Sequence, residues 1–202
     1  MLKRLLPLTL MIGGFAFIFL IPEPGYIPPL IVVSNDYFAS SLSNEGVKQF
    51  EAALARAYPE WAALRIREGE QEWSLGTFLQ IISGPGRRNA VSPEVLVVTV
   101  GMKYRWQIPQ KGDLARVFIR TGVQMTEDYA AFLNQPEIRH QHPQVGNAAT
   151  YALYRYFEGN IQKLREWHAT FVWIFGYDPR WGTSTTFPRP GWCERKAPMP
   201  AP

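Results

Sequence analysis

Carboxylate side chains beside apolar residues are the groups in this sequence best suited to acid–base chemistry. Glu94 is the third residue of the stretch "SPEVLVVTVGMKYRW", residues 92–106, and precedes a run of aliphatic residues. A carboxyl group whose pKa is raised by an apolar pocket can act as a general acid. Glu94 also suits a structural role at the positive end of a helix. Four other acids fall on amphipathic helices and are expected to face solvent: Glu127, Asp128, Glu158 and Glu166.

Histidines offer a second kind of chemistry. His140 and His142 stand two residues apart in "RHQHP", and paired histidines can bind zinc. Because no carboxylate or cysteine stands at ligand spacing, we interpret this stretch as a solvated loop before a helix. His168 lies between apolar helix positions and is expected to be a surface or hydrogen-bonded core residue. We predict no metal and no other cofactor.

The remaining motifs that could support chemistry contain serine, glycine or cysteine. The stretch "SGPGRR", residues 83–88, combines a glycine-rich backbone with two arginines, which suits a phosphate or carboxylate. It lacks the lysine and hydroxyl pair of a phosphate loop, so we favour an exposed loop. Ser83 is not part of a nucleophile elbow. The single Cys193 excludes internal disulfides and paired-cysteine metal sites. We interpret it as incidental, with an intermolecular bridge or contact with a partner as the alternatives.

Composition indicates a folded domain with a mild positive charge. Of 202 residues, 47% are hydrophobic and 19% are charged, with 21 Lys and Arg against 17 Asp and Glu, a net charge of +4. This excess weakly favours anionic surfaces such as phospholipid or wall polymers. No basic run interleaves with aromatic residues, so nucleic acid is not expected as a partner.

The N-terminal segment has the features of an export signal. Lys3 and Arg4 precede an uncharged apolar stretch that ends at Pro22, a length between a signal peptide and a membrane helix. No small-x-small cleavage site follows, and the leading positive charges predict export of the remainder. We expect residues 1–22 to anchor the protein at the outer face of the cytoplasmic membrane. The alternative is a cleaved signal and a secreted protein.

Local patterns predict the elements that must position these residues. Apolar spacing and Ser43 predict a helix that Pro59 ends, followed by a turn or hairpin around Gly69 and a helix capped by Ser74. Although "VLVVTV" alone has the composition of a strand, Ser92 and Pro93 before it favour a buried helix.

The remaining segments continue the helical pattern. Two short helices are predicted after Asp113 and Thr126 as caps, and a helix pair is predicted to join near Gly159. Residues 30–38 fit a short strand or an extended lead-in. The sequence therefore predicts a mainly α domain over residues 34–182, between a Pro-rich linker (23–33) and a Pro-rich irregular tail (183–202).

The order of three segments resembles a known family. They are "REGEQEWSLGTFLQII", "NAVSPEVLVVTVGMKYRW", and "GNAATYALYRYF" together with "FVWIFGYDPRWG". Over residues 58–182 this order resembles the lysozyme-like, transglycosylase-related domain of exported bacterial cell-wall proteins, in its Chloroflexi-type version. The resemblance implies a lysozyme-like helical fold and a groove for wall glycan.

One position departs from the pattern that the resemblance implies. In that family the helix after the proline ends in a glutamate that acts as general acid, and counting from Pro93 without gaps places Gly101 there. Glycine has no proton to donate, and loss of a general acid lowers the rate roughly 10²–10⁴-fold. Glu94 is a weak substitute, about two helical turns away. The resemblance implies a groove formed by the following residues: Trp73, Tyr104, Arg105, Trp106 and Asn147.

These observations predict a non-catalytic, extracytoplasmic domain that binds or organises cell-envelope material, with peptidoglycan glycan as the first candidate ligand. Two alternatives remain open. One is an accessory or structural subunit of a membrane protein assembly, whose C-terminal tail docks on protein partners. The other is an active peptidoglycan glycosidase that uses a displaced acid.

Overall fold

The computed structural model describes residues 27–68, 70–83, 87, 89–108 and 114–181, and this part of the chain is mainly helical. The predicted anchor (1–22), the whole predicted tail (183–202) with Cys193, and also Asp113 and Gly69 lie outside the described residues. Within the described ranges, no helix has both the length and the apolar content to cross a membrane. The elements, in chain order, are α1 (Asn35–Phe38), α2 (Asn44–Ala57), α3 (Pro59–Ala62), β1 (Arg65–Glu68), β2 (Gln71–Ser74), α4 (Leu75–Ile82), α5 (Pro93–Lys103), α6 (Leu114–Asn134), α7 (Pro136–Gln141), α8 (Ala148–Tyr156), α9 (Ile161–Phe175) and a 3-10 turn (Pro179–Trp181).

Short polar side chains fix where most of these helices begin. Each accepts a hydrogen bond from the backbone N–H three residues later, which satisfies one of the N–H groups that a helix start leaves without an intrahelical partner. The predicted caps of α2, α4 and α5 are confirmed. The residues that cap in this way are Ser34, Ser43, Ser74, Ser92, Asn147 and Asn160.

Helix α5 forms the centre of the fold. Its residues from Pro93 to Gly101 are all buried, and it packs against α4, α6 and α9. Thr99 links α5 to α9, because its hydroxyl donates to the carbonyl of Val95 within α5 and accepts a hydrogen bond from Nε1 of Trp167 on α9 at 3.1 Å. The prediction of a buried helix is therefore confirmed, although the aliphatic run alone favours a strand.

The other elements surround this helix. α2 packs against α4 and α9, and α6 packs along α8. The predicted hairpin is present as the antiparallel pair β1 and β2, with Ile66 opposite Trp73. The largest fully buried side chains of the core are Trp61, Trp167, Phe38, Phe50, Phe78, Phe118 and Phe171.

An N-terminal strap, residues 30–33, crosses the start of α8, with an isolated β-bridge at Leu30 and bends at Val32 and Val33. The N–H of Leu30 donates to the carbonyl of Gln144, and the N–H of Val32 donates to the hydroxyl of Thr150. Val32 and Val33 are buried. The side chain of Ser34 caps α1, so the expectation of a short strand or extended lead-in over residues 30–38 is wrong for residues 35–38.

Helix α6 differs from the prediction of two short helices. It is a single helix of 21 residues, and Thr126 lies within it instead of capping a second one. The Thr126 hydroxyl donates to the carbonyl of Gly122 and accepts a hydrogen bond from the N–H of Ala90. Because the turn before it satisfies this hydroxyl, the residue does not interrupt the helix.

The "RHQHP" stretch is also more regular than expected. Residues 136–141 form the short helix α7, with Pro136 in its first turn, where a missing N–H leaves no bond unmade. His140 is exposed on this helix. His142 follows it, with its ring 5.4 Å from the Tyr151 ring and 5.5 Å from the Tyr154 ring. The interpretation of this stretch as a loop is therefore wrong for residues 139–141.

Candidate functional site

The C-terminal end of α5 carries the position that the sequence singled out. The helix closes with two hydrogen bonds that reach back along it, from the N–H of Arg105 to the carbonyl of Met102 and from the N–H of Trp106 to the carbonyl of Gly101. This pair defines a Schellman motif, which usually has glycine at the left-handed position. Here Arg105 takes that position with φ of 52°, and Trp106 follows with φ of 59°.

The closing motif places the indole of Trp106 directly over Gly101. A Cβ atom at position 101 would lie 2.5 Å from Cζ3 of that ring, a distance at which the ring must move. Tyr58 stacks on Trp106 with ring centroids 3.7 Å apart, and Nε1 of Trp61 donates to the Trp106 carbonyl at 2.7 Å. The indole is thus held by neighbouring aromatic residues, and position 101 has no room for a side chain.

The residues predicted to line a groove lie in different settings. Trp106 is partly buried in the aromatic cluster, the adjacent Tyr104 is half-buried, and Arg105 is exposed. Trp73 lies on β2, half-buried, with its ring centroid 6.4 Å from that of Phe78. Tyr104, Arg105 and Trp106 are therefore contiguous surface and near-surface residues at the end of α5.

Asn147, the fifth predicted groove residue, makes two structural hydrogen bonds. Its side-chain oxygen accepts from the N–H of Thr150 and caps α8, and its amide nitrogen donates to the carbonyl of Val33, each at 2.8 Å. These contacts join the start of α8 to the N-terminal strap and give the side chain a role in the fold.

Glu94, the candidate substitute acid, lies in a buried network of hydroxyl groups. It is 7% exposed and accepts a hydrogen bond from the Tyr177 hydroxyl at 2.6 Å. The Tyr37 hydroxyl lies 2.5 Å from that of Tyr177. A tyrosine has one hydroxyl proton, so the Tyr177 proton directed at Glu94 leaves Tyr37 as the donor to Tyr177. Burial raises the pKa of Tyr37 well above its ordinary value, and the Glu94 carboxylate and Tyr177 raise it further.

The turn after α9 contains a second polar cluster. Nε2 of His168 lies 2.9 Å from Oδ1 of Asp178, and Nε of Arg180 lies 2.9 Å from both oxygens of the same carboxylate. Burial alone would raise the pKa of Asp178, but hydrogen bonds from Arg180 and His168 outweigh it and lower that pKa from 3.8 to about 2. His168 thus has the hydrogen-bond partner that the sequence analysis allowed for.

The polar clusters around Glu94 and Asp178 do not form a metal site. Among the residues that the structure describes, no group of three or more His, Cys, Asp or Glu side chains is arranged to hold an ion.

A surface cavity of about 430 Å³ lies between the start of α2 and the end of α4, and we call it the α2–α4 cavity. Its size falls in the range of small-molecule sites, roughly 300–1,000 Å³. Gln80 crosses one side, with its amide donating to the Leu42 carbonyl at 2.9 Å and to the Asn44 side chain at 3.2 Å. The described lining residues are Ser41, Leu42, Asn44, Gln80, Ile81, Ser83 and Arg87.

Sequence reasoning did not identify this cavity, although one motif pointed to it. Ser83 and Arg87 belong to the "SGPGRR" stretch, whose composition suits an anion-binding turn but for which the sequence favours an exposed loop. Its partner surface, residues 41–44, is about 40 residues away in the chain, so local spacing gave no sign that the two segments meet.

The comparisons with known proteins add no family to this description. No protein-family model, no curated protein and no solved structure matches this chain.

Proposed function

We propose that this protein is a non-catalytic, lysozyme-like domain that binds cell-envelope material at the outer face of the cytoplasmic membrane. Peptidoglycan glycan is the proposed ligand, and residues 1–22 are the proposed anchor. The observation that carries the proposal is the packing of the Trp106 ring on Gly101. It removes both the acid and the space for an acid at the position where the lysozyme-like pattern places a catalytic glutamate.

The surroundings of Glu94 support the same conclusion. A general acid must come within hydrogen-bonding distance of the atom that it protonates. Glu94 is 7% exposed, and its carboxylate accepts a hydrogen bond from the Tyr177 hydroxyl at 2.6 Å. This arrangement serves to fasten α5 to residues that follow α9, so the domain is proposed to bind glycan without cleaving it.

The exposed end of α5 supplies the proposed contact surface. Arg105 presents a guanidinium group beside the half-buried Tyr104, and such pairs of cationic and aromatic groups suit anionic, hydroxyl-rich polymers. The net charge of +4 adds a weak general attraction to acidic wall polymers.

The test is co-sedimentation of the full-length protein, in detergent micelles, with purified peptidoglycan, while released muropeptides are measured in the same sample. We expect binding without release, and weaker binding for Arg105→Ala than for a matched arginine variant on α9, Arg165→Ala. Release that Glu94→Gln abolishes would replace this proposal with an active glycosidase that uses a displaced acid. Absence of both binding and release would contradict the proposal.

A second candidate is an accessory subunit of a membrane protein assembly. The specific observation in its favour is Trp181, which is 70% exposed where the 3-10 turn leads into the Pro-rich tail. Large exposed aromatic side chains are enriched at protein interfaces. The test is limited proteolysis of the tail with and without a membrane extract. This candidate is favoured if the extract protects the tail of the unchanged protein but not that of Trp181→Ala.

A further inference from the structure

We propose that the α2–α4 cavity binds a small sugar that carries a carboxylate. This inference rests on the proposed function only for the source of the sugar, which is the wall glycan. The cavity itself is defined by its own residues, and it uses none of the groups at the end of α5.

An unpartnered buried hydroxyl is the first observation. Ser83 is 2% exposed, lines the cavity, and its Oγ has no hydrogen-bond partner among the described residues. A buried polar atom without a partner is unfavourable, roughly 1–3 kcal/mol, unless a bound molecule supplies the bond. Nδ2 of Asn89 and Oε1 of Glu51 also lack partners in the described part, but neither residue lines the cavity.

The charge of the cavity favours an anion. Arg87 is the charged residue among the described lining residues, and none of those residues is acidic. The start of α2, which adjoins the cavity, adds a partial positive charge from its N–H groups. Glu45 in the same turn opposes this effect, but its carboxylate lies 3.6 Å from the ammonium group of Lys48. The carbonyl ends of α4 also oppose it, although the full charge of a guanidinium exceeds the half charge of a helix end.

The remaining lining residues fit the rest of a sugar. Gln80 and Asn44 present amides, and Ser41 and Ser83 present hydroxyls, which together can both donate to and accept from sugar hydroxyls. Leu42 and Ile81 give apolar contact for a ring face or an acetamido methyl group, and Ile81 is 39% exposed although it is aliphatic. A phosphate dianion would match less of this surface, because one arginine and two aliphatic side chains do not compensate its charge.

The binding test mixes the full-length protein with defined small-molecule probes. Binding is measured by the broadening of each probe's NMR signals. The probes are N-acetylmuramic acid, glucuronic acid, N-acetylglucosamine and inorganic phosphate. We expect the two acidic sugars to bind, and N-acetylglucosamine to bind about tenfold more weakly, because a charge-assisted hydrogen bond is lost. Tighter binding of N-acetylmuramic than glucuronic acid would assign the wall glycan as the source, and the reverse order would assign free uronic acids. Equal affinity for N-acetylglucosamine, or tighter binding of phosphate, would overturn the proposal.

Two variants separate this site from the fold. Arg87→Ala is expected to weaken binding of the acidic sugars about tenfold, and the matched charge control Arg165→Ala to leave it unchanged. Ser83→Ala is expected to weaken binding without lowering Tm, because it removes a hydroxyl that makes no bond within the described protein. Unchanged sugar affinity in both cavity variants would overturn the proposal.

Peptidoglycan co-sedimentation keeps the two proposals distinguishable. If the protein sediments with peptidoglycan while no sugar occupies the cavity, the cavity proposal fails and the proposed function stands. If an acidic sugar binds through Arg87 but peptidoglycan is not retained, the cavity proposal stands and the proposed function fails.

Discussion

The indole of Trp106 occupies the space that a side chain on Gly101 would need, with Cζ3 only 2.5 Å from the Cβ position. Glycine is thus required at this position by the way α5 ends. The Schellman motif turns the chain so that the residue after the left-handed one folds back on the helix, and in this protein that residue is a tryptophan. The absence of an acid and the packing of the ring are therefore two aspects of a single local structure.

The first prediction concerns this pair. Gly101→Ala is expected to lower the free energy of unfolding by about 1–3 kcal/mol, because the added methyl group displaces a packed ring. In a Trp106→Ala background the same change is expected to raise it by up to about 1 kcal/mol, because alanine favours the helix over glycine. Urea unfolding followed by circular dichroism measures both effects. Gly101→Ala that destabilises both backgrounds equally would contradict this account of the glycine.

The second prediction concerns the left-handed residue before the tryptophan. Arg105→Gly is expected to raise the free energy of unfolding by about 0.5–1 kcal/mol, since a left-handed conformation costs non-glycine residues roughly 1–2 kcal/mol and glycine is more flexible when unfolded. Arg105→Ala is the matched control and is expected to change stability little, because alanine has the same backbone penalty. Thermal unfolding of the three proteins checks this, and a lower Tm for the glycine variant would refute it.

The third prediction concerns the buried network at Glu94. Tyr177→Phe removes the hydroxyl that donates to Glu94 at 2.6 Å and is expected to destabilise the fold by about 1–3 kcal/mol. Tyr154→Phe is a suitable comparison, because its hydroxyl accepts from Gln144 at an exposed site and its loss is expected to have a smaller effect. Denaturant midpoints measure the loss of stability in each variant. A smaller loss of stability for Tyr177→Phe than for Tyr154→Phe would be inconsistent with a buried structural network.

The fourth prediction concerns pH. The pKa of Asp178 is lowered from 3.8 to about 2 in the folded protein, so the carboxylate stabilises the fold above pH 4 and this stabilisation is lost as the pH falls toward 2. The difference corresponds to about 2 kcal/mol. We expect the stability gap between the protein and Asp178→Asn to be full at pH 5 and to narrow toward pH 2. Denaturation at several pH values tests this, and a gap that widens with acid would show the opposite linkage.

Local features of the fold followed from the sequence, because their causes lie within a few residues. Ser92 and Pro93 identified α5 as a helix despite its β-branched residues, and Gly159 marked the junction between α8 and α9. The continuity of α6 did not follow. Thr126 has the side chain of a cap, and only its bonds to Gly122 and Ala90 show that it is used within a helix.

The candidate sites could not be predicted as well from the sequence, because each is formed by residues that are far apart along the chain. Glu94 was recognised as an acid of interest, but its neighbours Tyr37 and Tyr177 come from opposite ends of the domain. The sequence singles out Gly101 only because the resemblance implies an acid there. The structure shows a local reason for glycine: the ring of Trp106, positioned by the left-handed backbone at residues 105 and 106, occupies the space of a side chain. The α2–α4 cavity likewise joins two segments that no local pattern connects.

The N-terminal strap has a mechanical consequence. The N–H of Ser34 donates to the carbonyl of Pro179 at 2.9 Å, so the two ends of the helical domain are adjacent. A force that pulls these ends apart would load this hydrogen bond and the strap first, before it reached the helices around α5. Tension applied at these two ends would therefore detach the strap while the central helix carried little load.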